Sequence, residues 1–174
     1  MNSLKVEENI RVFGLNIEEV LQELQEIGFR YSSAAIEQID SQAPDDEVIE
    51  IYREQIEYFM NRHEYEFVEV IKLSTKSRSD GAYVYKAERD EFETRLITHG
   101  QCSLYLRFQG QIVELQCKAG DIIHIPANLC YWLEGGMRDC RYIHLYMTRN
   151  GWDTPCVRQN LQPCSRAAEL KQVS

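Results

Sequence analysis

The chain has 174 residues, of which 44% are hydrophobic and 27% charged, proportions that suit a soluble globular protein able to bury a core without disulfide support. A formal charge of −9 leaves no basic footprint for nucleic acid and disfavours anionic membrane surfaces, so the expected partner is a small molecule, with a protein partner also open. Glu7, Glu8, Glu18, Glu19, Glu23 and Glu26 interrupt any signal-peptide core or membrane span in the first 30 residues, and a cytoplasmic location is the expectation.

In chain order, Asn16 as cap, Glu19 completing a capping box, the stripe Ile17, Val20, Leu21, Leu24, Ile27 and the stop at Gly28 predict a helix over 16–28. Phe29-Arg30-Tyr31 and residues 35–39 are short and ambiguous between edge strand and coil. A second helix is expected from Pro44 to about Arg62, with Val48, Ile51, Tyr52, Ile56 and Phe59 at helical spacing behind an acidic first turn. Residues 64–73, EYEFVEVIKL, read as a strand. The polar run 74–80 reads as a solvated loop, with an anion gate through Lys76 and Arg78 as the less favoured alternative.

The stretch from Asp90 to Trp132 organises the rest. Its apolar runs are broken at Thr98-His99-Gly100, at Gln109-Gly110 and at Lys118 to Asp121, the spacing of short antiparallel strands joined by tight turns in a sandwich or small barrel. Period-two alternation puts Glu93, Arg95 and Ile97 on one face and Phe92, Thr94 and Leu96 on the other. A carboxylate and a guanidinium therefore share a face, and a simple ion pair would account for them. Another strand follows at 141–147, with Tyr142, His144 and Tyr146 opposite Ile143, Leu145 and Met147. Beyond Trp152 the tail reads as irregular. The six cysteines (102, 117, 130, 140, 156 and 164) form no C-x-x-C pair and read as free thiols.

The runs ETRLITHG (93–100), GDIIHIPA (120–127) and Asn150-Gly151-Trp152, together with the helix, helix, strand order ahead of them, resemble the acireductone dioxygenase family of the cupin superfamily. The resemblance implies an α+β, mainly β chain: one cupin, jelly-roll-like barrel domain over 1–174. Residues 1–80 would supply helical and strand support, 81–152 the barrel and 153–174 the tail. In that family an H-x-H-x-x-x-E motif plus a later histidine binds one divalent iron or nickel ion. Aligned on Glu93, the two histidine positions fall on Ala87 and Arg89 and the later one on Tyr131, so Glu93 is the only ligand kept. Alanine has no donor atom, arginine is a permanent cation, and tyrosine ligates poorly until it loses its proton near pH 10. The expectation is a metal-free chain, with iron or nickel as cofactor only if that reading fails. A rebuilt metal site from Glu93, His99, His124 and His144 is the minor alternative.

The resemblance also implies pocket residues for an anionic substrate. Arg95 matches the family's arginine two residues after the ligand glutamate, and His144 stands where a second arginine is expected. Arg89 could take the electrostatic place of the metal and pair with Glu93. His144 reads either as an acid, base or anion-binding group or as a structural histidine. Tyr131 reads either as a donor in the vacated ligand space or as a core aromatic. No dinucleotide, phosphate-loop, hydrolase-elbow or zincin motif is present. The leading expectation is a metal-independent oxygenase, isomerase or lyase acting on a small anionic or enolisable metabolite, with Glu93, His144 and Tyr131 catalytic and Arg95, Arg89 and His144 binding substrate. The alternatives are a non-catalytic binding or interaction module and, less favoured, a conventional acireductone dioxygenase of methionine salvage.

Overall fold

A computed structural model describes residues 10–13, 17–36, 39–73, 91–136 and 139–147. The predicted readings on Asn16, Lys76, Arg78, Ala87, Arg89, Asn150-Gly151-Trp152 and the tail lie outside these residues.

Among the described residues, nine strands form two antiparallel sheets. The first contains β1 (Ile10–Phe13), β6 (Gln111–Lys118), β5 (Gln101–Phe108) and β8 (Cys130–Gly135) in that spatial order; the second contains β2 (Arg30–Ser33), β7 (Asp121–Ile125), β4 (Glu93–His99), β9 (Cys140–Tyr146) and β3 (Phe67–Leu73). Of the ambiguous segment Phe29-Arg30-Tyr31, Arg30 and Tyr31 open the edge strand β2, as one of its two readings had it, and Phe29 precedes it. Gln109 and Gly110, both at positive φ (50° and 76°), form a two-residue hairpin turn whose twist matches the strands it joins, which sets the β5–β6 register.

Inward-facing side chains of both sheets, among them Ile97, Leu104, Leu106, Val113, Leu115, Ile123, Ile125, Tyr131 and Tyr142, make one buried cluster. Helix α1 (Ile17–Glu26) adds Val20, Leu21 and Leu24 to it. The predicted stripe ends early: Ile27 is 43% exposed, because it follows the last helical residue and sits in the turn that Gly28 (φ +102°) closes. The single helix expected over 44–62 is two, α2 (Asp45–Ile51) and α3 (Arg53–His63), with a break at Tyr52 that keeps the hydrogen bonds Tyr52 N to Val48 O and Ile56 N to Tyr52 O. Val48, Tyr52 and Ile56 cover Leu96, Ile143 and Leu145 on the outer face of the second sheet.

This cover changes the environment of β4. Alternation separates two faces there, and Glu93 to Thr98 are all buried, because the barrel interior takes the Glu93, Arg95, Ile97 face and the helices take the Thr94, Leu96 face. Any charge on this strand is therefore withdrawn from water and must be paired.

Candidate functional site

Glu93 and Arg95 project from β4 into the space between the sheets. They are 2% and 3% exposed, and Arg95 Nη2 lies 3.2 Å from Glu93 Oε1. Strand β9 pairs with β4 so that His144 is opposite Arg95 and Tyr146 opposite Glu93. From there His144 Nε2 reaches diagonally to within 2.7 Å of Glu93 Oε2. Tyr131 enters from β8 in the opposite sheet. Its hydroxyl donates to Glu93 Oε1 and accepts from Arg95 Nη2 at 2.9 Å. Both oxygens of one buried carboxylate are thus held by a phenol, a guanidinium and an imidazole contributed by three strands.

The arginine is caged further. Its guanidinium carbon lies 5.0 Å from the centre of the Tyr131 ring and 5.1 Å from that of Tyr142, within cation–π range. Burial works against the charge on Arg95, but the Glu93 carboxylate and the neighbouring tyrosines outweigh it and raise its pKa above the ordinary guanidinium value. Its Nε and Nη1 are buried with no hydrogen-bond partner among the described residues, so the cation retains donor capacity beyond its bonds to Glu93 and Tyr131. The His144 ring stacks on Tyr146 at 4.8 Å, which fixes the plane from which Nε2 addresses Glu93.

Four of the predicted site residues, Glu93, Arg95, Tyr131 and His144, therefore meet at one point. Arg89 lies outside the described residues. The rebuilt metal site does not assemble: His124 faces the helices, where Nδ1 lies 2.9 Å from Thr94 Oγ1 and 3.2 Å from the Tyr65 hydroxyl. His99 lies at the far end of β4, past a register shift and opposite Arg141. Among the described residues no three His, Cys, Asp or Glu side chains are grouped so as to hold a metal ion.

Tyr142 is the residue that the sequence reading left out of the site. Its signal was present, since alternation puts it on the same face of β9 as His144. The stack of His63 on His124 at 4.5 Å, with Phe92 on the other ring at 5.5 Å, was also missed; its partners are 29 to 61 positions apart in sequence.

Residues 11–154 match the profile of the ARD/ARD′ family. Among curated proteins, the chain is 26% identical over 140 residues to the acireductone dioxygenase of Aquifex aeolicus, covering 77% of this chain and 76% of that one. It is 29% identical over 136 residues to that of Alcanivorax borkumensis, covering 74% and 75%. Among solved structures, an acireductone dioxygenase from Bacillus anthracis with a cadmium ion in its active centre superposes with a TM-score of 0.66 at 20% identity, over 82% of this chain and 94% of that one. That likeness bears out the expected mainly β, cupin-like architecture. With the family profile spanning the helices, both sheets and all four clustered site residues, this chain belongs to the ARD/ARD′ family.

Proposed function

We propose that this chain is a diverged acireductone dioxygenase-like enzyme that turns over a small anionic or enolisable metabolite between its sheets without a divalent metal. The observation that carries the reading is the state of Glu93: Oε1 is engaged by Tyr131 and Arg95, and Oε2 by His144. A divalent ion seeking this carboxylate would have to displace the phenol and sit beside a guanidinium already 3.2 Å from the same oxygen. Like charges at such separation in a buried site oppose each other strongly. Among the described residues, the donor set around Glu93 does not fit the family's ion.

The residues support proton-transfer chemistry instead. A substrate carboxylate or enolate oxygen would take the remaining donors of Arg95, Nε and Nη1. Glu93, paired with His144, would accept a substrate proton, and Tyr131 would turn its hydroxyl toward the oxygen on which charge develops. The resulting electron-rich enolate could react with dioxygen or be reprotonated at another carbon.

The test is oxygen uptake and product analysis with acireductone, the compound named in the relatives' activity, using protein treated with a strong chelator and assayed for iron and nickel. The expected result is turnover above the spontaneous rate that chelation leaves unchanged and that Glu93→Gln lowers at least a hundredfold. Stoichiometric iron or nickel in untreated protein, or activity that appears only when metal is added, overturns the metal-free reading. Saturable binding without turnover would favour a non-catalytic binding module.

A further inference from the structure

Three cysteines on three different strands converge beside the site. Cys102 of β5 and Cys117 of β6 are direct partners across an antiparallel pair, and Cys140 opens β9. Gly100 brings Cys140 close: a Cβ built at Gly100 would lie 1.9 Å from the Asp139 carbonyl oxygen and 3.0 Å from the Cys140 Cα, so the β4–β5 turn lies directly against the start of β9. All three cysteines are reduced, buried and part of the interior cluster. Cys102 is thus the one of the three placed next to both others, across the ladder from Cys117 and two residues beyond the turn that lies against Cys140. Directly opposed residues in antiparallel strands have Cα atoms about 4.5–5.5 Å apart, inside the span that a disulfide bridges.

We propose that Cys102, Cys117 and Cys140 form a thiol relay in which a hydroperoxide oxidises Cys102 and either neighbour captures it as a disulfide. The Cys102 sulfur attacks the peroxide; the O–O bond breaks, a sulfenic acid forms on Cys102, and the other oxygen leaves with a proton as water or an alcohol. The sulfur of Cys117 or Cys140 then attacks the Cys102 sulfur, the S–O bond breaks, and hydroxide leaves as water with the thiol proton. Two thiols are oxidised and one peroxide is reduced. Cys102 is the nucleophile because it alone lies beside both other cysteines; the neighbouring thiols also hold it below its ordinary pKa against the cost of burial, and the Arg95 charge adds to this. Burial and the Cys102 charge push Cys117 up, and the same partner and burial push Cys140 up, which makes both resolving thiols. Cys102 and Cys140 lie at strand ends, where local opening admits a small oxidant most readily.

Trypsin separates the three: Cys102 falls in 96–107, Cys117 in 108–118 and Cys140 in 139–141, with Cys130 alone in 119–138. Folded protein treated with hydrogen peroxide, then alkylated in denaturant and digested, is expected to contain 96–107 joined to 108–118 or to 139–141. Cys102→Ser should cut peroxide-dependent linkage among these peptides at least tenfold. The double variant Cys117→Ser with Cys140→Ser should stop at a sulfenic acid on Cys102 that dimedone traps, which keeps the test open if Cys102→Ser does not fold. Full alkylation of Cys102 after peroxide, linkage between 108–118 and 139–141 that survives Cys102→Ser, or a double variant that dimedone does not label overturns the proposal.

Discussion

His144 Nε2 lies 2.7 Å from Glu93 Oε2, and neither residue is more than 2% exposed. The imidazole completes a carboxylate that already holds Arg95 and Tyr131, so Glu93 is the anionic centre on which three other side chains depend. Glu93→Gln keeps the shape but removes the charge that compensates Arg95. Breaking a buried pair from one side costs about 3–5 kcal/mol. Urea unfolding of the variant should show a loss of that order. A loss below about 1 kcal/mol would mean that the guanidinium is compensated by something other than this carboxylate.

Tyr131 joins the two sheets through its hydroxyl. Tyr131→Phe leaves the ring under the Arg95 cation and removes one acceptor from Arg95 Nη2 and one donor to Glu93 Oε1. The expected cost is about 1–3 kcal/mol, since a buried polar group loses its partner. The two substitutions should be non-additive because they remove the same contact, which a double-mutant cycle with Glu93→Gln would read directly. Additive effects would separate the phenol from the carboxylate energetically.

On the opposite face of β4, His124 carries a pH dependence. Burial, and then the neighbouring charges of His63 and Arg30, lower its pKa from 6.5 to about 4. The unfolded chain therefore takes up this proton at higher pH than the folded one, and protons favour unfolding between about 6.5 and 4. The stability that neutral His124 contributes is present above pH 6.5 and is lost as the pH falls toward 4. His124→Gln should flatten that part of the stability profile, by on the order of 1–2 kcal/mol after discounting for partial solvent screening. Parallel profiles for the two proteins from pH 7 to pH 4 would contradict this.

Gly100 has φ +73°, and its missing side chain is what lets the β4–β5 turn lie against Asp139 and Cys140. Gly100→Ala imposes both an unfavourable backbone conformation and a clash with a carbonyl oxygen. A loss of more than about 2 kcal/mol is expected in chemical denaturation, larger than conformation alone would give. Gly110→Ala is the control: its φ is +76°, but a Cβ there meets nothing within 4 Å, so it should cost about 1 kcal/mol. Equal losses would remove the close approach as the cause.

Much of this protein is readable from local pattern. Alternation along 93–97 placed Glu93 and Arg95 on one face, and alternation along 141–147 did the same for Tyr142, His144 and Tyr146, because a strand turns successive side chains to opposite sides whatever lies around it. Paired small and polar residues at 109–110 announced the hairpin, and helical spacing announced α1 and the run that became α2 and α3. Only the tertiary structure decided which faces meet. Tyr131 is 38 positions from Glu93 in the chain and His144 is 51, and both distances close because two sheets stack and β9 pairs with β4 in one register. Burial of both faces of β4, the caging of Arg95 by Tyr131 and Tyr142, and the meeting of Cys102, Cys117 and Cys140 arise in the same way. A period of two specifies which side of its own sheet a residue faces; what waits on that side is set by the packing of segments far apart in sequence.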